Sequence, residues 1–317
     1  MPKGNFQHDL IKNDPGLSWS LKYLENDLKH ITQPFSKRPN LIYTNSHLDA
    51  LQRVLDKNSN EQLKKIPIVD IILPDLNGHS IKVPEKDESM IILNMYNGIF
   101  LGQLNMLYYL PFFHSDKTKF DYAVQRIVRW ARISNGIIPI DQPQFDSDLD
   151  FVLFFKDYRE MLRAIIDLQE MFIIAHEIGH QLLDHRNFSK ILKVEHPTLS
   201  TSLEYMIRGQ KQEYDADDFA ITTMNKLIQR AKLKEWHNVY NIAINLLFIV
   251  LHFLEAFKPK NRSNLPPSHP LPLLRKNKIS RLLPKGYEEL TNIHEKALQR
   301  SLETVEILID IGKQGGY

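Results

Sequence analysis

Residues 171–180 read MFIIAHEIGH. His176 and His180 stand four apart, with Glu177 between them and an apolar run in front. On a helix that spacing puts both imidazoles on one face, one turn above the other. The pair can then grip one ion, and Glu177 is placed to take a proton from a water on it. Gly179 points the same way, since glycine inside a helix costs about 1 kcal/mol against alanine. Its presence predicts that another element packs closely on that turn. The pentapeptide alone leaves a second reading open, a helix whose histidines make only local hydrogen bonds. A catalytic metal centre of this kind also needs a third protein ligand and an open position.

That ligand must be histidine, aspartate or glutamate, because the chain has no cysteine. Residues 210–220 read QKQEYDADDFA. Glu213 and Asp217 are four apart and share a helical face, flanked by the small Ala216 and Ala220. Such a surface can approach the first helix closely and bring one carboxylate to the metal. The other carboxylate could accept a hydrogen bond from the far nitrogen of a liganding histidine and fix its tautomer. Asp215, Asp218 and Glu204 read as a solvated charged face.

HEIGH followed by EYDADDFA resembles the gluzincin metallopeptidases, in particular the M48-like group. Its pattern is H-E-x-x-H, then E-x-x-A-D-x-x-A on a later helix. The resemblance implies one Zn2+ held by His176, His180 and Glu213, with Glu177 as the catalytic base. Asp217 then matches the aspartate of the A-D pair and supports the ligands from behind. SHPLPLLR adds His269, Pro270 and Arg275, a His-Pro pair with an arginine six residues after the histidine. By resemblance, His269 lies near the open side of the zinc, as an inhibitory ligand or an oxyanion support. Arg275 would brace the site through carboxylates. His196-Pro197 precedes the glutamate helix and has Ser202 in the arginine's place, so it reads as a loop. The match covers about residues 170–280. ImmA-like zinc peptidases and soluble phage-exclusion peptidases also carry H-E-x-x-H and stand as further relatives.

The implied architecture is α+β and zincin-like, a mostly helical catalytic half with a small β-sheet before the H-E-x-x-H helix. Four regions are expected: 1–65 helical, 66–150 a small sheet with helices, 151–285 the metallopeptidase core, and 286–317 a C-terminal helix, with a single domain as the alternative division. Helices are expected at 17–31, 46–65 and 120–134, and over 158–185, 203–233 and 287–312. IPIVDIILPDLNGHSIKVP reads as two strands joined in a hairpin at Asn77-Gly78, and SMIILNM as a third. The stretch Ile91–Asn94 is the expected edge against which a peptide would lie. His185, five residues past His180, reads as a helix-end residue off the ligand face.

Charge and composition narrow the rest. The chain has 317 residues, a formal charge of +2 and 43% apolar residues. No bulk field points to nucleic acid or an anionic membrane. The polar start predicts no secretory signal. WHNVYNIAINLLFIVLHFL, at 236–254, has no charged residue, but Asn238, Asn241, Asn245 and His252 line one side of it. It therefore reads as a buried core helix and not a membrane span. The expected partner is a protein or peptide substrate, with a regulatory partner as an option, and the expected setting is the cytoplasm.

Overall fold

The computed structural model describes residues 42–71, 76, 78–83, 88–94, 97–113, 116–135, 159–185, 199–231, 234–257, 270–286 and 288–314. In chain order the elements are α1 (Ile42–Gln52), α2 (Lys57–Leu63), β1 (Ile68–Ile71), β2 (Gly78–Val83), β3 (Glu88–Asn94), α3 (Asn97–Leu104) and α4 (Met106–Tyr109). A short 3-10 turn follows, then α5 (Lys117–Ser134), α6 (Arg159–Leu182), α7 (Leu199–Ala231), α8 (Lys234–Ala256), α9 (Pro272–Ile279) and α10 (Glu288–Gln314). The described chain is thus mostly helical with one small sheet. The expected helix at 17–31 lies outside the described residues.

Helix α6 is the spine of the site. Leu162, Ile165, Leu168, Phe172 and Ala175 recur at three- and four-residue intervals, and all are buried. Its apolar face meets α8, and its broadest contact is with α7. Helix α8 is buried almost all round from Tyr240 to Phe253. It passes the length and composition test for a membrane span, yet most of it is covered by the fold. Its asparagines have partners: Asn241 donates to the Pro284 carbonyl at 3.0 Å, and Asn245 accepts from Ser280 at 2.6 Å. These two asparagines face α9 and the turn that follows it, while Asn238 and His252 face Thr291 and Glu306 of α10.

The sheet corrects two expectations. Its order is β1-β3-β2, with β3 parallel to β1 and antiparallel to β2. No hairpin joins β1 to β2 at Asn77-Gly78; the chain crosses from one side of β3 to the other. Residues 91–94 are also not an edge, since β3 is paired on both sides. The strand next to the site is β2. A Cβ added at Gly78 would stand 2.5 Å from the Glu177 Cγ. The glycine serves a close approach and not a turn. One turn beyond Glu177, the Gln181 amide donates to the Ser80 hydroxyl at 2.6 Å and to the Met90 carbonyl at 3.2 Å. These bonds fix α6 across β2 and β3.

Two helix boundaries also differ. The expected helix over 46–65 is broken into α1 and α2, because Asp56 caps α2 by accepting from Ser59 N–H at 2.9 Å. Helix α9 was not among the expected elements. It begins at Pro272, whose fixed φ suits a first helical position.

A buried amide pair joins the junction of α3 and α4 to α6 and α8. Asn105 donates to the Gln169 carbonyl at 2.7 Å, and Gln169 donates to Asn105 at 3.1 Å and to the Ala243 carbonyl at 3.0 Å. Gln169→Leu strands a buried amide, so it is expected to lower unfolding free energy by about 1–3 kcal/mol. Adding Asn105→Leu should recover part of that loss in urea titrations. A Gln169→Leu protein with an unchanged urea midpoint contradicts this role for the pair.

Candidate metal centre

Helices α6 and α7 meet through small residues. A Cβ at Gly179 would lie 3.1 Å from the Phe219 ring and 3.3 Å from the Ala216 Cα. Ala216 and Ala220 are fully buried. This close seating carries Glu213 to the paired histidines. His176 Nε2 lies 3.0 Å from His180 Nε2. Glu213 places Oε2 3.4 Å from His176 Nε2 and Oε1 3.4 Å from His180 Nε2. The three donor atoms form a buried group that can hold a metal ion, all within 4.8 Å of one another.

Support comes from behind each donor. Asp217, with no exposed surface, sets Oδ1 3.0 Å from His176 Nδ1. That approach is a short charge contact without full hydrogen-bond alignment. Arg275 comes from α9 and clasps Asp217 with both arms, Nε to Oδ2 at 2.8 Å and NH2 to Oδ1 at 2.7 Å. A third nitrogen reaches Glu213 Oε2 at 3.1 Å. The guanidinium also lies over the Phe248 ring, 5.3 Å from its centre. The bidentate fork fixes Asp217 in orientation as well as in charge.

The charges are far from their ordinary balance. Burial alone would raise the Asp217 carboxyl, but Arg275 and His176 hold it below the usual carboxylate range. Burial alone would strip His176 of its proton, but Asp217 and Glu213 push the imidazole up to about 10. Glu177, Glu213 and Asp217 bring three buried carboxylates, and Arg275 brings one guanidinium. With both imidazoles neutral, as metal ligation requires, three negative charges less one positive leave two. Among the described residues, the donor set and the charge both fit a divalent ion.

No family model, curated protein or solved structure matches this chain. The site is accordingly read from its own residues.

His176, His180, Glu213, Asp217 and Arg275 form one cluster, with Glu177 between the histidines on α6 and against Gly78 of β2. His269 lies outside the described residues. Asp218 is solvent-accessible, as expected of a charged face, and there pairs with Lys278 of α9 at 2.7 Å. His185 sits at the end of α6 and outside the three-donor group, as expected, but it makes a contact the sequence did not show. Its Nδ1 lies 2.9 Å from His180 Nδ1, and burial pushes its imidazole down to about 4. Nothing in the spacing announced that contact, because it depends on how the helix ends. A second group, His47, Asp167 and Glu170, joins α1 to α6. His47 Nε2 lies 4.0 Å from Asp167 Oδ1, and the Asp167 side chain is 39% exposed, so water screens that pair.

Arg275→Met removes the guanidinium from a buried carboxylate cluster. Breaking such a pair is expected to cost about 3–5 kcal/mol of stability in the metal-free protein. Added divalent metal should restore part of the loss, since the ion supplies positive charge to the same carboxylates. Urea unfolding with and without metal measures both effects. An unchanged midpoint in the metal-free variant contradicts the bracing role.

Proposed function

We propose that the chain is a zinc-dependent endopeptidase with a zincin-like catalytic half, acting on a protein or peptide substrate in the cytoplasm. The observation that carries this reading is the reach of Glu213 on α7 to both histidines of α6, with Glu177 left beside them. Two histidines and a glutamate are a donor set of catalytic zinc, which keeps a fourth position open. A closed structural site is more often rich in cysteine, and this chain has none. The placement of Glu177 also favours catalysis over a purely binding role, since a structural ion has no use for a base there.

Bound zinc supplies Lewis acidity, lowering the pKa of water and polarising a carbonyl. The protein residues do the remainder. His176 and His180 present Nε2 to the ion, and Glu213 adds a carboxylate oxygen. Asp217 holds His176, and Arg275 holds Asp217 and Glu213. Glu177, only 7% exposed, takes the proton of the attacking water and passes it to the leaving amine. Gly78 lets β2 lie directly on the Glu177 stem, which limits where that carboxylate can point. An extended peptide along β2 would gain main-chain hydrogen bonds and lie next to the base. A single protein target and restraint by the His269 loop would be regulation of this same chemistry.

Glu177→Gln is expected to keep one zinc per chain while cleavage falls by about 10²–10⁴-fold, the usual worth of a general base. Metal content by elemental analysis and cleavage of a peptide library measure the two sides. A Glu177→Gln protein that cleaves at the wild-type rate refutes the assignment of the base. Removing zinc with a chelator should abolish cleavage, and adding zinc back should restore it.

A further inference from the structure

The C-terminal end of α6 is built in an uncommon way. Asp184 N–H donates to the Gln181 carbonyl at 3.2 Å, and His185 N–H donates to the His180 carbonyl at 2.9 Å. Asp184 has a φ of 57°, the left-handed conformation in which glycine is the usual occupant. These two bonds and that conformation make a Schellman cap. In such a cap the residue after the left-handed one folds back over the residue five before it. The contact between those two side chains is commonly apolar. Here both are histidines. The His180 and His185 rings meet edge to face, 5.0 Å between centres and 69° between planes.

The nitrogen geometry gives this contact a direction. His180 turns Nε2 toward His176 Nε2 and Glu213 Oε1, at 3.0 and 3.4 Å. If Nε2 is the ligand atom, its lone pair belongs to the ion, and the neutral ring carries its proton on Nδ1. That proton faces His185 Nδ1 at 2.9 Å. His185 must then accept with a bare Nδ1 and carry its own proton on Nε2.

We propose that His185 is the positioning residue of His180, accepting its Nδ1–H and fixing the tautomer and ring plane of that ligand. The inference rests on the reading of His180 as a metal ligand. The two histidines of the site are thereby held differently. His176 is backed by a carboxylate tied to an arginine, and His180 by an uncharged imidazole. The uncharged partner orients His180 without adding a third negative charge to the excess of two. The cap, and not a second helix, supplies it, so the support is local to α6.

Three variants separate positioning from packing. His185→Phe keeps an aromatic ring over His180 but has no acceptor. His185→Gln offers a carbonyl oxygen to the same proton. His185→Ala removes both. Zinc affinity is read by competition with a chromophoric chelator, and folding of the metal-free proteins by thermal unfolding. Loss of a partner that orients a metal ligand typically costs 10–100-fold in affinity. His185→Phe and His185→Ala are expected to lose about that much, and His185→Gln to recover most of it. Long-range nitrogen–proton NMR correlations on the zinc-loaded wild type should show His180 protonated on Nδ1 and His185 on Nε2. If His185→Phe fails to fold, the wild-type spectrum and the His185→Gln affinity decide. Wild-type affinity in His185→Phe, or a His185 protonated on Nδ1, overturns the proposal while leaving the zinc site standing. Absence of zinc binding by the wild-type protein overturns the metal reading itself.

Discussion

The seating of helix α6 on helix α7 at Gly179 and Ala216 is the constraint on which the rest depends. At that crossing a single added methyl group would meet Phe219 and the Ala216 backbone. The closeness is what lets the Glu213 carboxylate stand 3.4 Å from two imidazoles on another helix. A wider crossing would leave the two histidines on α6 with no third donor. It would also leave Asp217 buried without His176. The metal-binding geometry is therefore a consequence of helix packing between small residues, and glycine's cost to the helix is offset there.

Such a site is held as much by charge as by shape. Three carboxylates gather where water is largely excluded, and one guanidinium answers them. Arg275 binds two of the three and is itself pinned over Phe248. The remaining negative charge is what an ion would neutralise. Each element contributes one part of this arrangement: α6 the imidazoles and the base, α7 the carboxylates, α9 the arginine, and β2 the wall against Glu177. The sheet is small, but Gln181 ties it to α6 one turn from the base, so the base and the β2 strand are fixed relative to each other.

Much of the cluster was legible in the chain because it follows from helical period alone. His176 and His180, and likewise Glu213 and Asp217, share faces by four-residue spacing, and Gly179 and Ala216 mark the surfaces that touch. The order of the strands was not legible. Strand pairing is set by contacts distant in sequence, and Gly78, which in the sequence suggests a turn, is used for clearance beside Glu177. Helix α9 was hidden by its shortness and by the prolines that precede it. The contact of His185 with His180 was hidden for a different reason. Asp184 adopts a backbone conformation that its residue type does not advertise, and the fold-back of the chain follows from that one dihedral. Side-chain pairs made by a cap are not visible in helical periodicity.

The most direct test is X-ray absorption at the zinc edge, comparing zinc-loaded wild type with Glu213→Ala. The wild-type spectrum should show a shell of nitrogen and oxygen only, with two imidazoles at about 2.0–2.1 Å and a carboxylate oxygen at a similar distance. In Glu213→Ala the two imidazoles should persist and the carboxylate contribution should vanish. An identical zinc environment in the two proteins, or one with fewer than two imidazoles in the wild type, would contradict the convergence of α6 and α7 on a single ion.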